Sequence, residues 1–441
     1  MPTKKIVLQE AINCKADWVI IDRQLRKDLK FYLKHIPCKV ALIQDSLSVE
    51  PLRLSNSTNT DVIEQKFSYS VSKPVEVPLD EQDNASADQF VVSCGSDFDS
   101  TSSIEVYRTF PNHHKSSDVP VLCSGCGITT ALYIKESMRF RYSEIQAATS
   151  DFSKEQLLGE GGYGHVYRGR LKDGQVIAAK VRKEASRQGD NEFRSEVYVL
   201  SFARHRNIIM LLGYCNIENH NILVYEYICN KSLYWHLFSK SGDVLEWHKR
   251  RAIAIGTAKG LRFLHEECRG CPIVHRDLRP SNILLTHDFI PMIGDFGLAK
   301  WKTGNDAIHT RVVGTLGYLA PEYVESGIVS VRTDVYAYGV VLLQLISGRK
   351  IIDNKRQGEF LLQWAEPLIE KLALHQLIDP RIGEVDDNTY ELYNMARTAY
   401  MCVRRSPEMR PSMGEVVRLL EGESGYIQGL AEQFVPHYAQ R

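Results

Sequence analysis

Two acidic residues and one amide stand at fixed spacing in the run IVHRDLRPSNILL (Ile273 to Leu285) and in the IGDFGLA that follows it. Asp277 can accept the proton of an attacking hydroxyl while orienting it. Asn282, and Asp295 thirteen residues later, offer oxygen ligands that suit a hard cation such as Mg2+. The apolar Ile283, Leu284 and Leu285 read as a strand that would hold this constellation rigid.

Upstream, LLGEGGYGHVYRG sets Gly159, Gly161 and Gly164 in a G-x-G-x-x-G frame between two strand-like segments. Glycine lets a hairpin backbone lie close over phosphates, although an ordinary glycine hairpin would read the same way. A dinucleotide fold would place a helix after the frame; here Val166 to Arg170 and then QVIAAKV read as strands. Lys180 lies 21 residues after Gly159 inside the second strand, with the small Ala178 two positions before it to leave room for a flat base. An inward-pointing strand lysine needs a partner. Glu196, in the helical stretch NEFRSEVYVLSFA, can supply it, as a structural ion pair or as the means of holding an ammonium against the α- and β-phosphates of ATP.

These residues must be positioned by elements that recur in order. GTLGYLAPEY (Gly314 to Tyr323), TDVYAYGVVLLQLISGR around Asp334 and RRSPEMRPSM around Arg410 complete a series that resembles the eukaryotic protein kinase family over roughly residues 152 to 425. The resemblance implies an α+β fold of two lobes: a β-rich small lobe with one helix (about 152 to 225) and a helical large lobe (about 230 to 425). It implies ATP and Mg2+ as cofactors. Gly159, Gly161 and Gly164 would then cover the nucleotide, with Leu158 beside them, and Val166, Ala178 and Leu284 would sandwich the adenine. Lys180 with Glu196 would mark the active arrangement. Asp277 would be the base, Asn282 and Asp295 would hold magnesium, Glu322 would pair with Arg410, and Asp334 would anchor the loop that carries Asp277. Tyr225 falls at the gate of the adenine pocket, which puts Glu226 and Ile228 on the linker whose backbone bonds the base.

The lead-in FRYSEIQAATSDFS, the tyrosine at the gate and TRVVGTLGYLAPEY look more closely like plant receptor-like kinases of the cytoplasmic kind, which phosphorylate serine and threonine. Their likeness implies protein substrates and a membrane receptor kinase upstream. Arg276 beside Asp277 implies a phosphate partner on the activation segment, with Thr310 and Thr315 as candidates. One departure stands out: Arg279 occupies the place where the family carries lysine. Arginine keeps the charge but is bulkier and forked, so an ATP-binding pseudokinase scaffold stays open as a second reading. An interaction protein that recruits partners through its N-terminal region is a third.

Lys plus Arg (54) equals Asp plus Glu (54), so no global field favours nucleic acid or an anionic membrane. The start lacks the apolar run of a secretory signal, Pro2 excludes myristoylation, HYAQR carries no prenylation signal, and no apolar stretch is long enough for a transmembrane segment. The expected location is cytoplasmic, with any plasma-membrane attachment made through a partner. Ten cysteines in 441 residues fit a reducing compartment. Cys123 and Cys126 form one CxxC and Cys268 and Cys271 another; 141 intervening residues favour free thiols over a shared zinc site.

Residues 1 to 44 alternate strand-like and helix-like segments, WVIID at Trp18 to Asp22 and KVALIQ at Lys39 to Gln44, and read as βαβ. They resemble part of the universal stress protein fold without its glycine-rich phosphate loop. Residues 45 to 135, rich in Ser, Asp, Asn and Thr with little periodicity, read as a disordered linker, and residues 426 to 441 as a tail.

Overall fold

The computed structural model describes residues 138–161, 164–182, 187–217, 220–239, 243–268, 271–301, 308–353, 359–383 and 389–422. Upstream it describes 4, 7–8, 11, 18–21, 23–36, 39–43, 49–53, 121–123 and 128–129. The chain divides into two units, Met1–Phe67 and Ser68–Arg441.

In the first unit, strand β1 (Trp18–Ile21) leads through a 3-10 segment, Arg23–Asp28, into helix α1 (Leu29–His35) and then β2 (Lys39–Ile43), which lies parallel to β1. This is the βαβ order read from the sequence. Ile21, Tyr32, Ile36 and Val40 bury together with Ala11. A third strand, β3 (Val49–Arg53), pairs antiparallel with β2 inside the stretch that composition assigns to the linker. Pro51 fits there because β3 is an edge strand, where a missing N–H breaks no second ladder. Within the same stretch β4 (Val121–Cys123) pairs with β5 (Ile128–Thr129); the rest of the expected linker, Cys126 and the tail lie outside the described residues.

The second unit has the expected α+β bilobal architecture. Its small lobe is a five-stranded antiparallel sheet of order β6-β7-β8-β10-β9: β6 (Leu157–Gly161), β7 (Gly164–Arg170), β8 (Val176–Arg182), β9 (Leu211–Ile217) and β10 (His220–Glu226). Period-two alternation decides what each face of β8 does. Ile177 and Ala179 bury on one face, while Ala178 and Lys180 turn to the other. On the outer face, helix α2 (Tyr142–Ala148) of the lead-in packs through Phe140 and Ile145 against Ile177, Ala179, Ile222 and Val224. The lead-in also extends the sheet edge: Tyr214 N donates to Met138 O at 2.7 Å and Phe140 N to Tyr214 O at 2.8 Å. Gly213 permits this approach, since a Cβ there would come within 2.3 Å of Met138 O. The other face is covered by helix α3 (Arg187–Phe202).

The large lobe is built on helix α4 (Leu233–Phe238), helix α5 (Trp247–Arg262), the antiparallel pairs β11 (Ile273–Val274) with β14 (Lys300–Trp301) and β12 (Ile283–Leu285) with β13 (Pro291–Ile293), helix α6 (Pro321–Ser326) and helix α7 (Val331–Ser347). A Ser330–Thr333 capping box starts α7, which is buried along nearly its whole length. Helices α8 (Leu361–Glu370), α9 (Leu374–Leu377), α10 (Thr389–Cys402) and α11 (Met413–Glu421) pack around it and α5.

One buried ion pair braces this lobe. Arg250 donates to Asp379 Oδ2 at 2.6 Å, to Leu245 O and to Leu345 O, and Asp379 also accepts from Arg381. Burial would raise the Asp379 carboxyl, but hydrogen bonds from Arg381 and Arg250 hold it below the usual range. Its contribution is therefore present above the ordinary carboxylate pKa of ~3.9 and is lost as pH falls through the lowered one. Asp379→Ala strands a buried guanidinium and is expected to cost about 3–5 kcal/mol at neutral pH. Urea denaturation should show it, with a gap to the unmodified chain that narrows in acid.

Candidate active site

Strands β6 and β7 form an antiparallel hairpin at the edge of the small-lobe sheet. Gly159 pairs with Val166 and Gly161 with Gly164 across this hairpin. Gly164 sits at φ +148, and a Cβ there would fall 2.0 Å from Val181 O, so the close lie of the turn over β8 requires glycine. Leu158 is exposed at the rim. Val166 stands directly opposite Lys180 in the ladder and Tyr225 opposite Ala178, which gathers these side chains on the cleft side of the sheet.

Lys180 joins three elements. Its Nζ donates to Glu196 Oε2 on α3 at 3.1 Å and to Asp295 Oδ1 after β13 at 2.8 Å. Burial alone would lower the ammonium; the carboxylates of Asp295 and Glu196 override it and raise the group above an ordinary lysine. Arg182 pairs with Glu192 at 2.8 Å in parallel. Two residues along a strand advance ~6.6 Å and four along a helix ~6 Å, so Lys180 and Arg182 match Glu196 and Glu192 as a set. Glu196 Oε1 also accepts from Phe296 N, and Ser195 Oγ donates to Ala299 O at 2.9 Å. Helix α3 is thereby stitched to the segment that follows Asp295.

The Asp277 loop is held from beneath. Asp334, on the first turn of α7, accepts from His275 N at 2.7 Å, Arg276 N at 2.8 Å and His265 Nε2 at 2.8 Å. His265 reaches it because the chain after α5 widens into a π turn, Phe263–Glu267. Burial would raise the Asp334 carboxyl, but these donors lower it. Arg276 takes φ +72 and Asp295 φ +66, left-handed conformations that such bonds stabilise.

Asn282 Nδ2 donates to Asp277 O at 2.8 Å and to its Oδ2 at 3.0 Å. Pairing of β12 with β13 then carries Gly294 N to 2.9 Å from Asn282 O, which sets Asp295 beside Asn282. An amide oxygen and a carboxylate on neighbouring segments are donors of the kind that would suit Mg2+. Asp295 is lowered, Lys180 overriding its burial, and so offers an anion. Asp277 differs: burial raises it despite Arg279, which donates from Nε to Asp277 Oδ2 at 3.2 Å.

Tyr225 is buried beside Glu196 of α3, and Glu226 is engaged twice with Met210, its side chain accepting from Met210 N at 2.7 Å and its N donating to Met210 O at 3.1 Å, so that of its polar groups its carbonyl is the one left to face the cleft. Ile228 and Leu284 lie half-buried against the core below. Arg276 reaches Tyr323 OH at 2.6 Å and Leu298 O, with Thr310 Oγ1 at 3.5 Å. Thr315 Oγ1 instead donates to Asp277 Oδ1 at 3.2 Å. Glu322 and Arg410 form the expected pair in fork geometry, at 2.8 and 2.7 Å. His265, Ser195 and Tyr323 were not singled out from the sequence, because their partners lie 69, 104 and 47 residues away. Neither Cys268 nor Cys271 is in a disulfide, and among the described residues no group of His, Cys, Asp and Glu side chains is arranged to hold a metal by itself.

The protein kinase domain family matches residues 152–419. The chain is 44% identical over 331 residues to the proline-rich receptor-like protein kinase PERK12 of Arabidopsis thaliana, covering 72% of this chain and 44% of that protein. It is 44% identical over 307 residues to PERK13 (68% and 43%) and 42% identical over 317 residues to PERK8 (70% and 46%), both from Arabidopsis thaliana. The chain thus spans less than half the length of these curated relatives. No helix among the described residues is long and apolar enough to cross a membrane.

Asp334→Asn turns an acceptor into an amide that faces three donors. It is expected to destabilise the large lobe by about 2–3 kcal/mol, read as a lower urea midpoint.

Proposed function

This chain belongs to the protein kinase family, and on that premise we propose that it transfers the γ-phosphate of ATP to serine and threonine hydroxyls of proteins. The observation that carries the reading is the Lys180 ammonium bonded at once to Glu196 and Asp295, in one cleft with a raised Asp277. Lys180 would bind the α- and β-phosphates, with Gly159, Gly161 and Gly164 above them and Val166, Ala178 and Leu284 around the adenine. Backbone groups of Glu226 and Ile228 would bond the base, with Leu158 at the rim. Asp277 would orient the acceptor hydroxyl and take its proton, and a buried carboxyl raised above an ordinary aspartate suits that task. Mg2+, held by Asn282 and Asp295, would supply charge neutralisation at the phosphates.

Arg279 supports transfer through its geometry. Its guanidinium bonds Asp277 and keeps a cation at the place where the family has lysine. Nothing in this arrangement favours the pseudokinase reading. Arg276, with Thr310 nearby, supports phosphorylation of Thr310, while Thr315 is occupied with Asp277. The receptor-like relatives support a place in plant signal transduction, in the cytoplasm beneath a membrane receptor kinase, which fractionation of the tagged chain would check. The N-terminal βαβ order is compatible with the universal stress protein likeness.

Incubated with ATP and Mg2+, the purified chain should label itself and a protein substrate, with phosphate mapped to Thr310 and absent from Thr315. Asp277→Asn is expected to lower the rate by about 10²–10⁴-fold, and Arg279→Lys to preserve or raise it. If the unmodified chain binds ATP without transfer and Arg279→Lys restores transfer, the reading fails. Because Asp277 is raised, protonation begins at a higher pH than for an ordinary aspartate. The rate should therefore fall as pH is lowered through that raised value, and a pH–rate profile would show the limb.

A further inference from the structure

Three segments meet beside Asp277. Thr315 Oγ1 donates to its Oδ1, which ties down the start of the run Thr315 to Tyr318. Tyr318 OH donates to Gln344 Oε1 on α7 at 2.8 Å. Gly317, at φ +90, lies so near Ile351 that a Cβ would come within 2.3 Å of Ile351 Cγ2. The loop after α7 is thus pressed against this run. Lys350 precedes Ile351, and its Nζ stands 5.8 Å from the Tyr234 ring and 5.9 Å from the Phe238 ring of α4. Those rings meet edge-on at 5.0 Å.

An ammonium beside two rings, each near the outer limit of a cation–π contact, is weakly directed by them. Here it is exposed, as are Tyr234 (44%) and Leu316 (69%). Burial pushes the Tyr318 hydroxyl up, and Arg279, Tyr234 and Asp277 all lie close enough to act on it, so the run Thr315 to Tyr318 and helix α4 border the same surface. It exposes the apolar Leu316 and the Tyr234 ring, with the Lys350 cation beside them. Two carboxylates near it are engaged with cations of their own: Asp277 with Arg279, and Asp379 with Arg250 and Arg381.

Resting on the kinase reading, we propose that Lys350, set on Tyr234 and Phe238, is a specificity-determining residue that selects acceptor segments bearing an anionic side chain, carboxylate or phosphate, near the serine or threonine. The gain follows from charge complementarity at a partly exposed site, so it is modest, falls with salt, and leaves the transfer step untouched.

Peptides with one acceptor serine and Glu, Gln, Lys or phosphoserine stepped through the flanking positions would be assayed with the full chain. At one or more positions the Glu or phosphoserine peptide should exceed the Gln peptide by about threefold to fivefold in kcat/KM. Equal gains would assign the contact to charge alone; a gain for phosphoserine only would assign it to a previously phosphorylated substrate. Lys350→Glu should reverse the preference toward the Lys peptide while kcat on the Gln peptide is unchanged. With the unmodified chain the preference should collapse at about 0.5 M salt. Equal rates for all flanking residues, or a preference that survives both Lys350→Glu and salt, would overturn the assignment and leave the kinase reading standing. Failure to label any peptide, or the chain itself, would overturn both.

Discussion

A buried ammonium must have anionic partners, and the folded catalytic unit is arranged around meeting that requirement for Lys180. Burial penalises the charge, so the lysine is stable there only with Glu196 and Asp295 in contact. Those carboxylates come from α3 in the small lobe and from the segment after β13 in the large lobe. Satisfying one cation therefore sets the position of a helix, the path of the chain at Asp295 and the closure of the two lobes on each other. Arg182 with Glu192, and Ser195 with Ala299, fasten the same helix at further points.

Around this centre three aspartates of identical chemistry are given different tasks by their surroundings. Asp334 is surrounded by donors and is lowered, which suits a fixed anchor beneath the loop of His275 and Arg276. Asp295 is lowered through Lys180 and remains an anion in contact with that ammonium. Asp277 is buried with weaker compensation, and its raised carboxyl is matched to accepting a proton. The differences come from the charges each carboxylate faces: Asp295 has the Lys180 ammonium and Asp334 has His265, whereas burial of Asp277 is offset by Arg279 only in part and the nearby Asp295 adds a like charge.

Outside the cleft, the lead-in from Met138 to Phe152 behaves as part of the small lobe. Phe140 and Ile145 cover the outer face of the sheet, and the backbone at Met138 and Phe140 bonds Tyr214. A sheet with one face on α3 would otherwise expose Ile222 and Val224, so a covering element is required rather than incidental. This accounts for a packed body that begins upstream of Phe152, where the family match starts.

What the sequence determined by itself was local in origin. Period two in QVIAAKV set Ala178 and Lys180 on one face of β8, glycines marked the turn at Gly164, and the spacing from Asp277 through Asn282 to Asp295 placed an amide and a carboxylate at the two ends of a short hairpin. These follow from strand pleating and turn geometry, which act over a few residues. Tertiary structure alone decided the rest. Pairing of Arg250 with Asp379 across 129 residues, the reach of His265 to Asp334, the contact of Thr315 with Asp277, and the setting of Lys350 on Tyr234 and Phe238 leave no periodic trace. Each depends on which helix faces which loop once the core has packed. An arginine or lysine in a sequence carries its charge, but the partner that gives the charge a role is chosen by burial.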